Sequence, residues 1–190
     1  MMWVRTARFQ TSGVSETSDV SHHQKGDGGT MRKEFVDWTT VVELVDRLLT
    51  ILPSDYDIVM AITRGGMIPA CLLSYRGRLR TVLVAAEQPA ADVDELFAKP
   101  TFAQFPADPL LKGKRVLVVD SVWSTARSMI CVKSRIEQAG GRADLCVLHY
   151  RTTDAWGEDK PDYVAEETDA WIVYPWEPPE ETRIEGPAGV

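Results

Sequence analysis

The sequence predicts an α/β fold, a doubly wound and mostly parallel sheet with helices on both faces. Three observations predict it. Ile58-Val59-Met60-Ala61-Ile62 and Val116-Leu117-Val118-Val119 are unbroken apolar runs of strand length, as expected of strands covered on both faces. Stretches with helical hydrophobic spacing alternate with such runs along the chain. Glycine and proline sit at the junctions, where chain direction must change.

The elements follow in order. Residues 1–30 are rich in Ser, Thr, Gly and His without hydrophobic period, and are expected to form a disordered tail. Residues 31–178 form the expected domain, and 179–190 a flexible C-terminal tail. Thr40 and Glu43 suggest a capping box, and Val41, Leu44, Val45, Leu48, Leu49 and Leu52 continue with helical spacing to Pro53. The strand at Ile58–Ile62 leads through Thr63-Arg64-Gly65-Gly66 into a helix with Pro69 in its first turn, where a missing N–H is harmless. Further strands are expected at Thr81–Ala86, Val116–Val119, Leu145–Tyr150 and Trp171–Tyr174. A helix from about Thr125 to Ala139 is stopped by Gly140-Gly141. The long, proline-rich stretch from Glu87 to Lys112 fits a mobile lid or a passive insertion.

Bulk properties narrow the function. The chain has 190 residues, 44% of them hydrophobic and 26% charged, which suits one soluble domain with a full core. The net charge of −7 argues against nucleic acid or an anionic membrane as partner. Cys71, Cys131 and Cys146 lie in apolar stretches with no Cys-x-x-Cys pair, so buried free thiols in a reducing compartment are expected, and no zinc site. Apolar runs are strand-sized, and a cytoplasmic protein is expected.

In parallel sheets of this kind, ligands bind beyond the carboxyl ends of the strands. Two connections lie there, Thr63 to Gly66 and Asp120 to Ser128. An acid such as Asp120, at the end of a buried strand, is costly without a job or a partner. Ser124, Thr125 and Ser128 follow it at a helix N-terminus, where free amides and the helix dipole favour a phosphate. Two readings fit these residues: a ribose-phosphate site, or a helix capped by Ser124 with Asp120 paired to a nearby base.

The unit from Arg115 to Ser128 resembles the motif by which type I phosphoribosyltransferases bind 5-phosphoribosyl-1-pyrophosphate (PRPP). Ala61 to Pro69 resembles the pyrophosphate loop of that family, and Glu87–Lys112 falls where it carries its flexible loop. Pro161-Asp162-Tyr163-Val164, with Trp171-Ile172-Val173-Tyr174-Pro175-Trp176-Glu177, resembles the purine-binding segment of the xanthine–guanine branch. The resemblance covers about residues 35 to 177, in register, and implies the phosphoribosyltransferase fold with a small C-terminal hood.

It also implies roles. Asp120 holds the ribose hydroxyls, Ser124, Thr125, Ala126, Arg127 and Ser128 cradle the 5-phosphate, and Ser121 belongs to the same PRPP-binding set. Asp120 and Ser124 occupy the catalytic positions. Thr63, Arg64, Gly65 and Gly66 take the pyrophosphate. Magnesium is held mostly by PRPP, with Asp120 as a weak ligand. Trp171 stacks on the purine, the backbone at Ile172 reads the ring edge, and Arg151 stands where the family carries a lysine for the 6-oxo group. Read without the family, Trp171 also fits a core residue and Arg151 a surface cation. The implied reaction is transfer of the phosphoribosyl group from PRPP to xanthine, guanine or hypoxanthine, by a homo-oligomer.

Three positions depart from the family pattern. Its second acid is Ser121 here, its later acid is Ser124, and its usual glycine is Ala126. General acid–base help is worth roughly 10²–10⁴-fold, so losing the two acids would slow a reaction without necessarily abolishing it. The uracil branch resembles this chain in lacking the second acid. The departures also fit a non-catalytic protein of the same fold that senses PRPP or a nucleotide. Ala126 suits its position only if its φ stays negative.

Overall fold

The computed structural model describes residues 32–79, 81–88, 100–123, 126–152 and 160–178. Both expected tails, 1–30 and 179–190, lie outside the described residues, as do Ser124 and Thr125.

The elements run β1 Lys33–Phe35, α1 Trp38–Ile51, β2 Ile58–Ile62, α2 Met67–Gly77, β3 Val82–Glu87, β4 Phe102–Gln104 and α3 Asp108–Leu111. They continue with β5 Arg115–Trp123, α4 Arg127–Gln138, β6 Arg142–Arg151, β7 Tyr163–Thr168 and β8 Trp171–Val173. Six strands form one sheet in the order β4-β3-β2-β5-β6-β7, and β1 pairs with β8 in a separate two-stranded sheet. Every pair in the larger sheet is parallel except β3 with β4 at its edge. The doubly wound, mostly parallel α/β fold is therefore present.

Alternation along each strand divides the core into two layers. Val59, Ala61, Leu117, Val119, Cys146 and Leu148 face α1 and α2, where Val41, Leu44, Leu48 and Leu73 meet them. Their neighbours Ile58, Met60, Ile62, Val116, Val118 and Val147 face the other way, onto Met129, Val132 and Ile136 of α4. Those three α4 side chains recur at helical spacing, and each fully buried apolar side chain contributes about 1.5–3 kcal/mol. Such two-sided burial is why β2 reads as an unbroken apolar run.

Several expectations need correction. The cap of α1 is Asp37, whose side chain accepts the Thr40 N–H at 2.7 Å. Thr40 is thus inside the first turn, and the stronger carboxylate acceptor three residues earlier takes the capping role. β5 runs on to Trp123, because β6 continues to Arg151 and offers it a partner as far as Tyr150. Asp120 is accordingly a residue within a strand rather than its end. Trp171–Val173 does not extend the main sheet but pairs with β1. Cys71 is exposed, Cys131 partly buried and Cys146 buried, all free. One step along α2 from buried Ala70 turns Cys71 away from the core. Among the described residues, no helix is long and apolar enough to cross a membrane.

Candidate active site

The carboxyl ends of β2, β3 and β5 lie side by side, and they carry the polar groups that the fold directs to one edge. The turn after β2 is held by Gly66 N–H donating to Ile62 O at 2.9 Å and Thr63 N–H donating to Ala85 O at 3.1 Å. Its Thr63–Arg64 peptide is cis. Two glycines make the turn possible for different reasons. A Cβ on Gly66 would lie 2.1 Å from Val119 O and 2.8 Å from Ile62 O, both backbone. A Cβ on Gly65 would instead meet side chains, Ser121 Oγ at 2.5 Å and Asp120 Oδ1 at 2.8 Å. Thus Gly66 lets the turn pack against β5, and Gly65 brings it against Asp120. Arg64 is exposed and Thr63 partly buried in the same turn.

Asp120 accepts the Ser121 N–H at 2.7 Å. Burial pushes its carboxyl up to about 7, and the charge of Glu87 adds to the rise while the Ser121 N–H opposes it. Ser121 is buried at 5% exposure, so its hydroxyl belongs to the packing against Gly65. Glu87 ends β3, and its carboxylate accepts the hydroxyl hydrogen of Ser128 in the first turn of α4. Arg127, the first residue of α4, is partly buried. Among the described residues, no group of three or more His, Cys, Asp or Glu is placed to hold a metal ion.

Ala126 is the N-cap of α4, with φ of 62° and no side-chain capping bond. The condition under which an alanine suits this position, a negative φ, is therefore not met. The left-handed conformation costs an L-residue about 1–2 kcal/mol, and burial of the Ala126 methyl among β5 and α4 side chains offsets part of that.

The second wall comes from the chain after β7. Tyr174 is buried, and its hydroxyl donates to Ser121 O at 2.8 Å. A phenol has one hydrogen to give, so His149, whose Nδ1 lies 2.7 Å from the same oxygen, donates its Nδ1–H. Burial lowers the pKa of His149 and keeps the ring neutral. Tyr174 also stacks on Trp176, with centroids 4.5 Å apart, and Trp176 packs in turn against Trp38. The buried Tyr174–Ser121 bond ties the segment that follows β8 to the residue next to Asp120.

Trp171 is 42% exposed at the start of β8, and the Arg151 guanidinium lies 4.8 Å from its ring centroid. Arg151 is itself buried at 5% exposure, so it is not the surface cation that one reading allowed. Ile172 is buried in the α1 and α2 layer, and in register it pairs with Glu34 of β1. Trp123 is fully buried within the α4 layer.

The structure therefore gathers Gly65, Gly66, Asp120, Ser121 and Ser128 at one edge, and sets Arg151 beside Trp171. Sequence reasoning missed Glu87, His149 and Tyr174. Glu87 carried the same sequence signal as Asp120, an acid directly after an apolar run. His149 is a lone polar residue within an apolar run. A cavity of about 380 Å³ lined by Phe102, Phe105, Cys131 and Arg135 lies elsewhere and includes none of these residues.

A family model described as the phosphoribosyl transferase domain matches residues 31–183. No curated protein matches the sequence. Among solved structures, the chain is similar to a purine phosphoribosyltransferase from Pyrococcus horikoshii. The two are 28% identical over 78% of this chain and 96% of that one, with a TM-score of 0.65. It is also similar to a hypothetical protein from Neisseria gonorrhoeae with bound ppGpp, at 22% identity over 80% of this chain and 93% of that one, with a TM-score of 0.67. A xanthine-guanine-hypoxanthine phosphoribosyltransferase from Helicobacter pylori matches at 17% identity, 77% and 93% coverage and a TM-score of 0.61. The last two likenesses show the fold alone.

Proposed function

This chain belongs to the phosphoribosyl transferase domain family, and from that premise we propose that it moves the 5-phosphoribosyl group of PRPP onto a 6-oxopurine and releases pyrophosphate. Xanthine, guanine and hypoxanthine are the acceptors meant. The observation that carries the reading is the packing of Asp120 against Gly65, with Glu87 of the neighbouring strand holding the first turn of α4, all at the carboxyl ends of the strands. Similarity to a purine phosphoribosyltransferase across most of both chains supports the acceptor class.

Each group then has a task. Charged Asp120 accepts hydrogen bonds from the ribose hydroxyls. The N-terminal amides of α4, with Ser124, Thr125, Ala126, Arg127 and Ser128, hold the 5-phosphate at the positive end of the helix. Thr63, Arg64, Gly65 and Gly66 hold the pyrophosphate through close backbone approach. Trp171 stacks on the base, and the backbone at Ile172 meets its edge. Arg151 has a planar fork where a lysine would be a point charge, and the fork suits an oxo group beside a ring nitrogen.

Magnesium fits this donor set in one way. The Asp120 carboxylate packs against Gly65 of the pyrophosphate turn, and one such ligand suffices for an ion that keeps its waters and binds substrate oxygens. When bound, the ion neutralises charge on the departing pyrophosphate. Catalysis by the chain itself rests on positioning and on charge stabilisation, with no carboxylate at Ser121 or Ser124 to move a proton.

Intrinsic fluorescence tests the acceptor site. Guanosine monophosphate is expected to quench the tryptophan signal of the wild-type protein, and Trp171→Leu to lose that quench while keeping its fold. A quench that persists in Trp171→Leu removes Trp171 from the base site.

A further inference from the structure

Glu87 is an acidic side chain beside the first turn of α4 that the proposed reaction does not use. It closes β3, on the opposite side of β2 from Asp120. Its carboxylate accepts from the Ser128 hydroxyl, in the first turn of α4. That turn has no side-chain cap of its own, because Ala126 stands at the N-cap. A helix start without a cap leaves amides and positive potential unanswered, and an anion from a neighbouring strand answers part of it. Glu87 is felt at Asp120 as well, so its charge reaches across the pyrophosphate turn.

A serine hydroxyl has one hydrogen to donate. In the free protein Ser128 gives it to Glu87. With a phosphate at the same helix start, Ser128 cannot serve both anions, and the two anions repel. We propose that Glu87 is an internal counter-anion for the 5-phosphate: it holds Ser128 in the free protein, gives way when PRPP binds, and so sets the affinity for phosphorylated ribose. The proposal rests on the PRPP reading of this edge. Its consequence is that binding energy is spent on displacing Glu87, and that its return helps the phosphorylated product to leave.

The test is calorimetric titration of PRPP, of ribose 5-phosphate and of pyrophosphate into the wild-type protein and Glu87→Gln. Glutamine keeps an acceptor for Ser128 but removes the charge. Glu87→Gln is expected to bind PRPP and ribose 5-phosphate about tenfold more tightly, as loss of one charge-assisted contact to a competitor implies. The gain should shrink as salt is raised. Pyrophosphate, which seats on the β2 turn, is expected to change much less. Glu87→Ala, which also frees the Ser128 hydroxyl, is expected to move in the same direction.

Unchanged or weaker ribose 5-phosphate binding in both variants, with wild-type binding intact, overturns the counter-anion role and leaves the PRPP reading standing. An equal gain for pyrophosphate overturns it too, since that is a long-range charge effect and no displacement. Absence of PRPP binding in wild type and variants alike defeats the PRPP reading, and this proposal with it.

Discussion

Asp120→Asn is expected to make the free protein more stable at pH 8 and to abolish useful PRPP binding. The Asp120 carboxyl is held at about 7 by burial, against an ordinary value near 4. A raised folded-state value means that the native protein binds a proton which the unfolded chain has released. Stability from this group is full below about pH 4 and is lost as pH rises through 7. A carboxyl raised this far makes the charged form costlier at pH 8, by on the order of 4 kcal/mol. Asparagine carries no charge and keeps an oxygen for the Ser121 N–H. Its melting temperature should exceed that of the wild type at pH 8 and match it near pH 4.

The same substitution removes the acceptor for two ribose hydroxyls. Hydrogen bonds to a charged group are worth about 1.5–3 kcal/mol each, so PRPP affinity should fall about 100-fold or more. Wild-type affinity should itself rise as pH increases through 7, because the ribose hydroxyls need the charged acceptor, and Asp120→Asn should lack that rise. Calorimetry from pH 5.5 to 8.5 checks both. Unchanged affinity in Asp120→Asn contradicts the ribose role, and a less stable variant at pH 8 contradicts the buried charge.

The second large effect separates two adjacent glycines. Gly66→Ala places a methyl 2.1 Å from Val119 O and within 3 Å of the Ile62 backbone. None of those atoms belongs to a side chain that can turn away. The strand β5 must move from β2, so a loss of about 3 kcal/mol or more is expected, enough to leave little folded protein. Gly65→Ala has its close contacts with side-chain atoms, Ser121 Oγ at 2.5 Å and Asp120 Oδ1 at 2.8 Å. Those side chains can rotate, so most of the stability should survive while PRPP binding does not. Thermal unfolding with calorimetry on both variants distinguishes fold from site. A folded Gly66→Ala with wild-type stability, or a Gly65→Ala that binds PRPP normally, contradicts the assignment.

The parallel sheet was legible because β2 and residues 116–119 of β5 are buried on both faces and therefore read as unbroken apolar runs. β1 and β7 were not legible as strands. Lys33-Glu34-Phe35 is short and mostly exposed, and Tyr163–Thr168 carries Glu166 and Glu167, so neither has a clean period. The extension of β5 to Trp123 depends on a partner strand more than twenty residues away in sequence, which local pattern does not contain. Asp120 was legible in the site because a charge within an apolar run stands out. Tyr174 and Glu87 were not, because their importance lies in partners, Ser121 O and Ser128, supplied by other elements. Arg151 was ambiguous for the same reason: its burial follows from the packing of β6, and its sequence shows only a cation after an apolar strand.

The most direct measurement is pyrophosphate release from PRPP with magnesium, against xanthine, guanine, hypoxanthine, adenine, uracil and orotate in turn. Release that depends on a 6-oxopurine, with the matching nucleotide formed in equal amount, is the predicted result. Release with none of the bases, or with uracil or orotate alone, contradicts the account.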